Sequence, residues 1–110
     1  MVNATVIPLA DGWLFECAGH AGCGEKGKDI VCAGVSALCM ALEAALDELA
    51  DEGCAEDVRK HTADGYFSAE AHWPDGDPVS EAKLSSAVRT VAAGLAAVEA
   101  LYPENVQLND

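Results

Sequence analysis

The sequence predicts an α+β fold, a two-layer β-β-α-β-β-α sandwich with an antiparallel sheet. Two Asp-Gly dipeptides each lie between two short segments with the composition of strands, which is typical of hairpins. Two longer segments repeat apolar residues at steps of three and four, which indicates helices with one buried face. Because the strand-strand-helix order occurs twice, we expect both helices on one face of the sheet and residues 1–110 in a single domain.

The first hairpin is expected from residues 4–9 and 13–18, on either side of the first Asp-Gly turn. The glycine-dense segment 19–28 follows, and four glycines in nine residues indicate a loop. These are Gly19, Gly22, Gly24 and Gly27. The first helix should follow Asp29 and end at Gly53. Its predicted apolar face consists of Val35, Leu38, Cys39, Leu42, Leu46 and Leu49.

The second hairpin is expected from residues 59–63 and 66–73, joined by the second Asp-Gly turn. The last helix is predicted to begin with Ser80 as its N-cap and to end before Pro103. Its predicted buried face consists of Leu84, Val88, Val91, Leu95 and Val98. The open sheet face and the edge strands would need a cover, which favours a homodimer.

The charge of the chain is strongly negative, −13 from 19 acidic and 6 basic residues. This excludes a nucleic-acid binder, whose surface needs the opposite sign, and it suits a basic partner. Residues 1–10 lack the basic start and apolar run of a signal peptide. The most apolar stretch, residues 31–50, carries three acids and is not expected to span a membrane. We therefore expect a soluble, cytoplasmic protein.

The five cysteines are an odd number with no CxxC spacing, which indicates free thiols in a reducing compartment. They are Cys17, Cys23, Cys32, Cys39 and Cys54. His20, Cys23 and Cys32 lack a fourth ligand for a zinc site, so no metal and no cofactor is expected.

Cys32 falls in the first turn of the first predicted helix, just after the predicted cap Asp29. Unpaired amides and the positive end of the helix dipole favour a thiolate there and can hold an oxyanion. His20 lies twelve residues earlier, across the glycine-dense segment, and can supply the base that a nucleophilic thiol needs. The pair predicts a cysteine peptidase.

Each of these residues also has a structural interpretation, which the pattern alone leaves open. Cys32 can be a small buried thiol on the apolar face, and His20 can bond to loop backbone. Asp29 can be a plain helix cap, and Ser36, one turn after Cys32, an incidental helix residue. We interpret Cys17 and Cys39 as core residues, Cys54 as a loop residue, and His61 and His72 as surface or edge residues without an acid-histidine pattern.

Two runs of residues resemble a known family. Gly19-His20-Ala21-Gly22, followed by Gly27-Lys28-Asp29-Ile30-Val31-Cys32-Ala33-Gly34-Val35-Ser36-Ala37-Leu38, resembles the signature of the ribosomal-processing cysteine protease Prp family. Gly94-Leu95 and Leu101-Tyr102-Pro103-Glu104 are similar to the family's last helix. Two positions depart from the pattern, because Gly34 replaces a commoner alanine and Cys23 a frequent aromatic.

The resemblance implies a bacterial, cytoplasmic, homodimeric peptidase. Such a peptidase removes the N-terminal extension of a strongly basic large-subunit ribosomal protein. It implies His20 as general base and Cys32 as nucleophile, with Asp29 and Ser36 at positions associated with the site. It also implies that the loop with Gly19, Gly22, Gly24 and Gly27 orders over bound substrate. Two alternatives stay open, a non-catalytic acidic protein that binds the basic ribosomal protein, and a thiol redox or metal protein.

Overall fold

Seven elements follow one another in the computed structural model, which describes residues 1–20 and 29–110. They are β1 (Val2–Pro8), β2 (Gly12–Gly19), α1 (Ile30–Asp51), β3 (Glu56–Ala63), β4 (Tyr66–His72), α2 (Pro78–Leu101) and β5 (Val106–Asn109). The predicted α+β class is confirmed. The first six elements occur in the predicted order, and the Asp-Gly dipeptides at residues 11–12 and 64–65 join antiparallel pairs of strands.

The five described strands form one sheet in the order β3-β4-β2-β1-β5. Three neighbouring pairs are antiparallel, and β2 is the central strand, with β1 of its own hairpin on one side and β4 of the second hairpin on the other. Its last residues pair on both sides, Gly19 with Val2 of β1 and Ala18 with Tyr66 of β4. The C-terminal end of β2 therefore emerges between the beginning of the chain and the turn of the second hairpin.

The fifth strand was absent from the sequence prediction. β5 pairs with β1 in parallel, with Val106 opposite Val2, so the sheet is mixed rather than wholly antiparallel. Four residues give too short an alternation to be read as a strand, and the pairing depends on a distant partner. Glu99 of α2 accepts a hydrogen bond from the Leu108 amide at 2.8 Å, which ties this edge strand to the helix layer.

The N-terminus of α2 differs from the prediction, since Asp77 rather than Ser80 is the N-cap. One carboxylate oxygen of Asp77 accepts from the Ser80 amide at 3.0 Å, and the other from its hydroxyl at 2.8 Å. Pro78 then occupies the first helical position, where its missing N–H is not needed. Ser80 is consequently buried inside the first turn.

The core lies between one face of the sheet and both helices, as predicted. Alternate strand residues such as Val2, Ala4 and Phe15 pack against the apolar stripes of α1 and α2. The most completely buried helix residues include Leu42, Leu46, Leu84 and Leu95. Both helices are long and apolar enough to cross a membrane by length and composition alone. In this fold their buried faces pack on the sheet, as core helices do.

His72 lies at the far end of β4 and contacts two carboxylates, which the sequence analysis did not anticipate. Its Nδ1 is 2.8 Å from Asp11 Oδ1, and its Nε2 is 2.8 Å from Glu70 Oε2. The hydrogen bond with Glu70, followed by the one with Asp11, raises the pKa of His72 above its usual value. Because Asp11 belongs to the first Asp-Gly turn, the protonated imidazole joins the two hairpins.

We predict that His72 makes stability depend on pH. Since its folded-state pKa is raised, the stabilisation is complete below the unfolded-chain pKa of about 6.5 and is lost as the pH rises through the folded-state value. Denaturant unfolding should therefore show His72→Gln less stable than the parent at about pH 5.5, with a smaller difference at about pH 8.5. His61→Gln is the control, because the His61 ring contacts the aromatic ring of Tyr66 edge-on, whereas the His72 ring contacts two carboxylates. A difference for His72→Gln that stays constant with pH would contradict this account.

Candidate active site

A cavity of about 350 Å³ opens between the first half of α1 and the turn that joins β3 to β4. One face of α1 forms a wall, with lining residues at steps of three and four: Cys32, Val35, Ser36, Cys39, Met40 and Glu43. Residues 62–66 of the second hairpin form the opposite wall, and Cys17 and Phe67 lie on the sheet between the walls. His20 also lines this cavity. Two predicted catalytic residues thus share one cavity, together with Ser36.

Cys32 lies in the first turn of α1, as predicted. Asp29 is the N-cap, and its Oδ1 accepts a hydrogen bond from the Cys32 amide at 2.9 Å. The Ala33 amide bonds to the Asp29 carbonyl at 3.1 Å. The Cys32 amide therefore already has an acceptor in the side chain of Asp29. The side chain of Cys32 is half-buried, at the margin of the core.

His20 directly follows β2 and is exposed to solvent. Its carbonyl accepts a hydrogen bond from the N-terminal ammonium of Met1 at 2.6 Å. Gly19, just before it, has a φ of +106°, and a Cβ at Gly19 would lie 2.2 Å from the Met1 carbonyl oxygen. Only glycine fits this close approach, so the turn of the backbone that exposes His20 depends on Gly19.

The imidazole and the thiol line one cavity, but the described residues contain no hydrogen bond between His20 and Cys32. Asp29 contacts the backbone of Cys32 rather than its thiol, since its side chain accepts the hydrogen bond of the Cys32 amide at the start of α1. Ser36 lies one turn further along the same wall and is exposed. The structure thus brings His20, Cys32 and Ser36 to one cavity, and it gives Asp29 a capping contact. The other predicted loop residues lie outside the described residues: Gly22, Cys23, Gly24 and Gly27.

The other three described cysteines are not members of the predicted catalytic pair: Cys17, Cys39 and Cys54. Cys17 and Cys39 are buried in the core, as predicted, and their thiols form a hydrogen bond to each other where the core lines the cavity. That hydrogen bond, with burial, raises the pKa of the Cys39 thiol far above its usual range. Cys39 is therefore a protonated core residue at neutral pH. Cys54 lies in the connection after α1, with its Sγ 4.0 Å from the Glu52 carbonyl oxygen.

The second hairpin was not predicted to contribute to the site. Its turn reaches the cavity because β4 pairs with β2, which brings Tyr66 opposite Ala18 and close to His20. The Asp-Gly signal identified the turn but carries no information about which strand lies beside it. Among the described residues, no group of three or more His, Cys, Asp or Glu side chains is arranged to hold a metal ion.

Comparison with known proteins identifies the relatives of this chain. The family model for cysteine protease Prp matches residues 1–107. The ribosomal processing cysteine protease Prp of Bacillus subtilis (strain 168) is 31% identical over 111 residues, which cover 98% of this chain and 96% of the relative.

Two solved structures share the fold. The ribosomal processing protease Prp from S. aureus, in complex with a covalently linked product peptide, aligns with a TM-score of 0.73 and 27% identity over 99% of this chain and 98% of its own. The protein SMU.848 from Streptococcus mutans aligns with a TM-score of 0.69 and 32% identity, over 99% and 92% of the two chains. The predicted resemblance to this family is thereby confirmed, and the chain belongs to the Prp family of cysteine proteases.

Proposed function

We propose that this chain is a cysteine endopeptidase with Cys32 as nucleophile and His20 as general base. Its substrate is the N-terminal extension of a basic large-subunit ribosomal protein, which it removes during ribosome maturation. The observation that supports this most directly is the shared cavity, since Cys32 at the start of α1 and His20 at the end of β2 face the same space. Membership of the family supplies the reaction class.

The reaction follows from these two groups. The imidazole takes the thiol proton, and the sulfur attacks the scissile carbonyl carbon to give a tetrahedral oxyanion. The imidazolium then gives its proton to the leaving amine, and a thioester to Cys32 remains. Water, deprotonated by the same imidazole, hydrolyses the thioester and releases the acid and the free thiol. The covalently linked product peptide in the S. aureus relative supports such a covalent stage.

The surroundings of Cys32 favour this chemistry. The positive end of the α1 dipole stabilises the negative charge that develops on the oxyanion. The amides of Ile30 and Val31 are our proposed oxyanion donors. Among the described residues, no hydrogen bond joins the imidazole of His20 to the thiol of Cys32, although both line the cavity. Catalytic hydrogen bonds are often long without substrate and tighten when it binds.

Asp29 and Ser36 are proposed as supporting residues. Asp29 fixes the first turn of α1 through the Cys32 amide, so it sets where the sulfur lies. Ser36 offers a hydroxyl to a peptide that runs along the α1 wall. The segment with Gly19, Gly22, Gly24 and Gly27 is proposed to close over bound substrate, since it connects the two catalytic residues.

The charge of the protein supports a basic substrate. The chain carries 19 acids and 6 bases, and Glu43 and Asp64 line the cavity from opposite walls. A lysine- or arginine-rich precursor is attracted to such a surface. We further propose that residues 1–110 act as one peptidase domain in a cytoplasmic homodimer. The sheet face opposite the helices supports the dimer, since Ile7 there is 42% exposed.

The excess of acids alone also suits a non-catalytic binding protein for the same basic partner. In that case the thiol of Cys32 has no special role. Replacement of Cys32 leaves binding of the basic partner unchanged, and neither the parent nor the variant cleaves it. The cleavage assay that follows separates the two functions.

We predict that Cys32→Ala abolishes cleavage of a peptide that spans the extension junction, with a loss of at least ~10³-fold in kcat. The thioester cannot form without the sulfur, whereas the fold tolerates alanine at a half-buried position. Product formation is followed by mass spectrometry. Cys54→Ala is the matched control, because Cys54 is also half-buried but lies outside the cavity. Cleavage by Cys32→Ala near the parent rate would rule out the peptidase mechanism.

We predict that Asp29→Ala lowers the free energy of unfolding by about 1 kcal/mol and also lowers kcat, because the first turn of α1 loses its capping acceptor. Asp29→Asn keeps a side-chain oxygen for the Cys32 amide and should recover most of both. Denaturant unfolding and the same cleavage assay measure the two effects. Asp51→Ala, at the other end of α1, serves as the control. Equal behaviour of the Ala and Asn variants at position 29 would show that the cap is not the role of Asp29.

A further inference from the structure

The turn of the second hairpin is in direct contact with His20. This turn consists of Asp64 and Gly65, and Gly65 has a φ of +69° in the left-handed region. Ala63 and Tyr66 pair on either side and close the hairpin. Residues 62–66 also form the cavity wall opposite α1. The turn therefore faces Cys32 across the cavity while it touches the imidazole.

The imidazole occupies the space where a side chain at position 65 would lie. A Cβ built on Gly65 would be 2.7 Å from Nε2 of His20, 3.2 Å from Cε1 and 3.3 Å from Cδ2. The first of these distances is shorter than carbon and nitrogen atoms tolerate, so a side chain at position 65 would force the exposed ring of His20 away from the turn. The absence of a side chain at Gly65 is what allows the ring to lie against the turn.

The backbone at this contact is held by two hydrogen bonds, one to the turn and one to the first residue of the chain. The Gly19 amide donates a hydrogen bond to the Gly65 carbonyl at 2.8 Å, one residue before His20. The His20 carbonyl accepts from the Met1 ammonium at 2.6 Å. Backbone and ring of His20 therefore depend on neighbouring strands rather than on contacts within their own strand.

We propose that Gly65 is a positioning residue for the general base: it holds the His20 ring at the cavity wall by leaving its own Cβ position empty. This inference rests on the proposed function in so far as it assigns the base role to His20. Gly65 touches the imidazole rather than the substrate, and it acts on the reaction through the place and orientation of that ring. Its nearest ring atom is Nε2, so Nε2 faces the turn and Nδ1 is the nitrogen on the far side of the ring.

The chain contains a closely matched control for the backbone strain. Gly76, in the loop before α2, has a φ of +70°, and a Cβ there would meet nothing within 4 Å. An L side chain at either glycine is forced into the same unfavourable backbone region. Only at position 65 does it also meet an imidazole. The comparison of the two positions thus separates backbone strain from displacement of His20.

The experiment compares Gly65→Ala and Gly65→Asn with Gly76→Ala and Gly76→Asn. Asparagine adopts the left-handed region more readily than alanine, so Gly65→Asn keeps the test available should Gly65→Ala fold poorly. Denaturant unfolding should show similar losses of stability at the two positions. For the cleavage of the junction peptide, kcat of both Gly65 variants should fall about 10²-fold with KM unchanged, while the Gly76 variants keep the parent values. The acid limb of the pH profile of kcat/KM should shift only in the Gly65 variants.

Two readouts keep this inference distinct from the proposed function. The NMR resonances of the His20 ring should move in the Gly65 variants and stay in place in the Gly76 variants, whatever the chain cleaves. Unmoved His20 resonances, or equal kcat and pH profiles at the two positions, would overturn the role of Gly65. If the His20 resonances move as expected but the Cys32→Ala variant still cleaves the junction peptide, the contact between Gly65 and His20 is supported and the peptidase mechanism is contradicted.

Discussion

The register of the central strand is the constraint on which the candidate site depends. β2 pairs with β1 through Gly19 and Val2, and with β4 through Ala18 and Tyr66. These pairings fix the place where the chain leaves the sheet, so His20 emerges beside the turn of the second hairpin. A shift by one residue would reverse the direction of every side chain in the strand. It would also separate Gly19 from Gly65 and move the imidazole away from the cavity.

The second half of the site depends on where α1 begins. The Asp29 cap sets the first turn, and the apolar stripe on α1 fixes its rotation against the sheet. Because Cys32 lies one turn before Val35 and Ser36, the same rotation that buries Val35 brings the thiol and the hydroxyl to the cavity wall. The sulfur is therefore placed by a cap and a core, two features that are independent of catalysis. The acidic surface would attract the basic substrate that we propose.

Much of the fold, and the place of Cys32 in it, could be predicted from the sequence because the patterns that indicate them lie within short segments of the chain. Two Asp-Gly turns, two apolar stripes and a capping aspartate identified four strands, both helices and the position of Cys32. The parts that were missed depend on contacts between distant residues. β5 forms because it pairs with β1. Gly65 contacts the His20 ring because the turn of the second hairpin lies beside the end of β2. Asp77 was overlooked as the α2 cap because Ser80, three residues later, is also a preferred N-cap residue. The contact of His72 with Asp11 was missed because the two residues lie 61 positions apart in the chain, whereas Glu70, two positions before His72, was a local signal that the sequence analysis overlooked.

The central claim is that His20 activates the sulfur of Cys32, and the rate of alkylation of that sulfur measures this most directly. Iodoacetamide reacts with thiolates, and each cysteine can be followed by peptide mapping, with Cys54 as the internal reference. At about pH 7 an unaided thiol is only a few per cent ionised, so we expect Cys32 of the parent to react roughly ten-fold or more faster than Cys32 of the His20→Gln variant. The rate at Cys54 should be the same in both proteins. Equal rates at Cys32 with and without His20 would contradict the account.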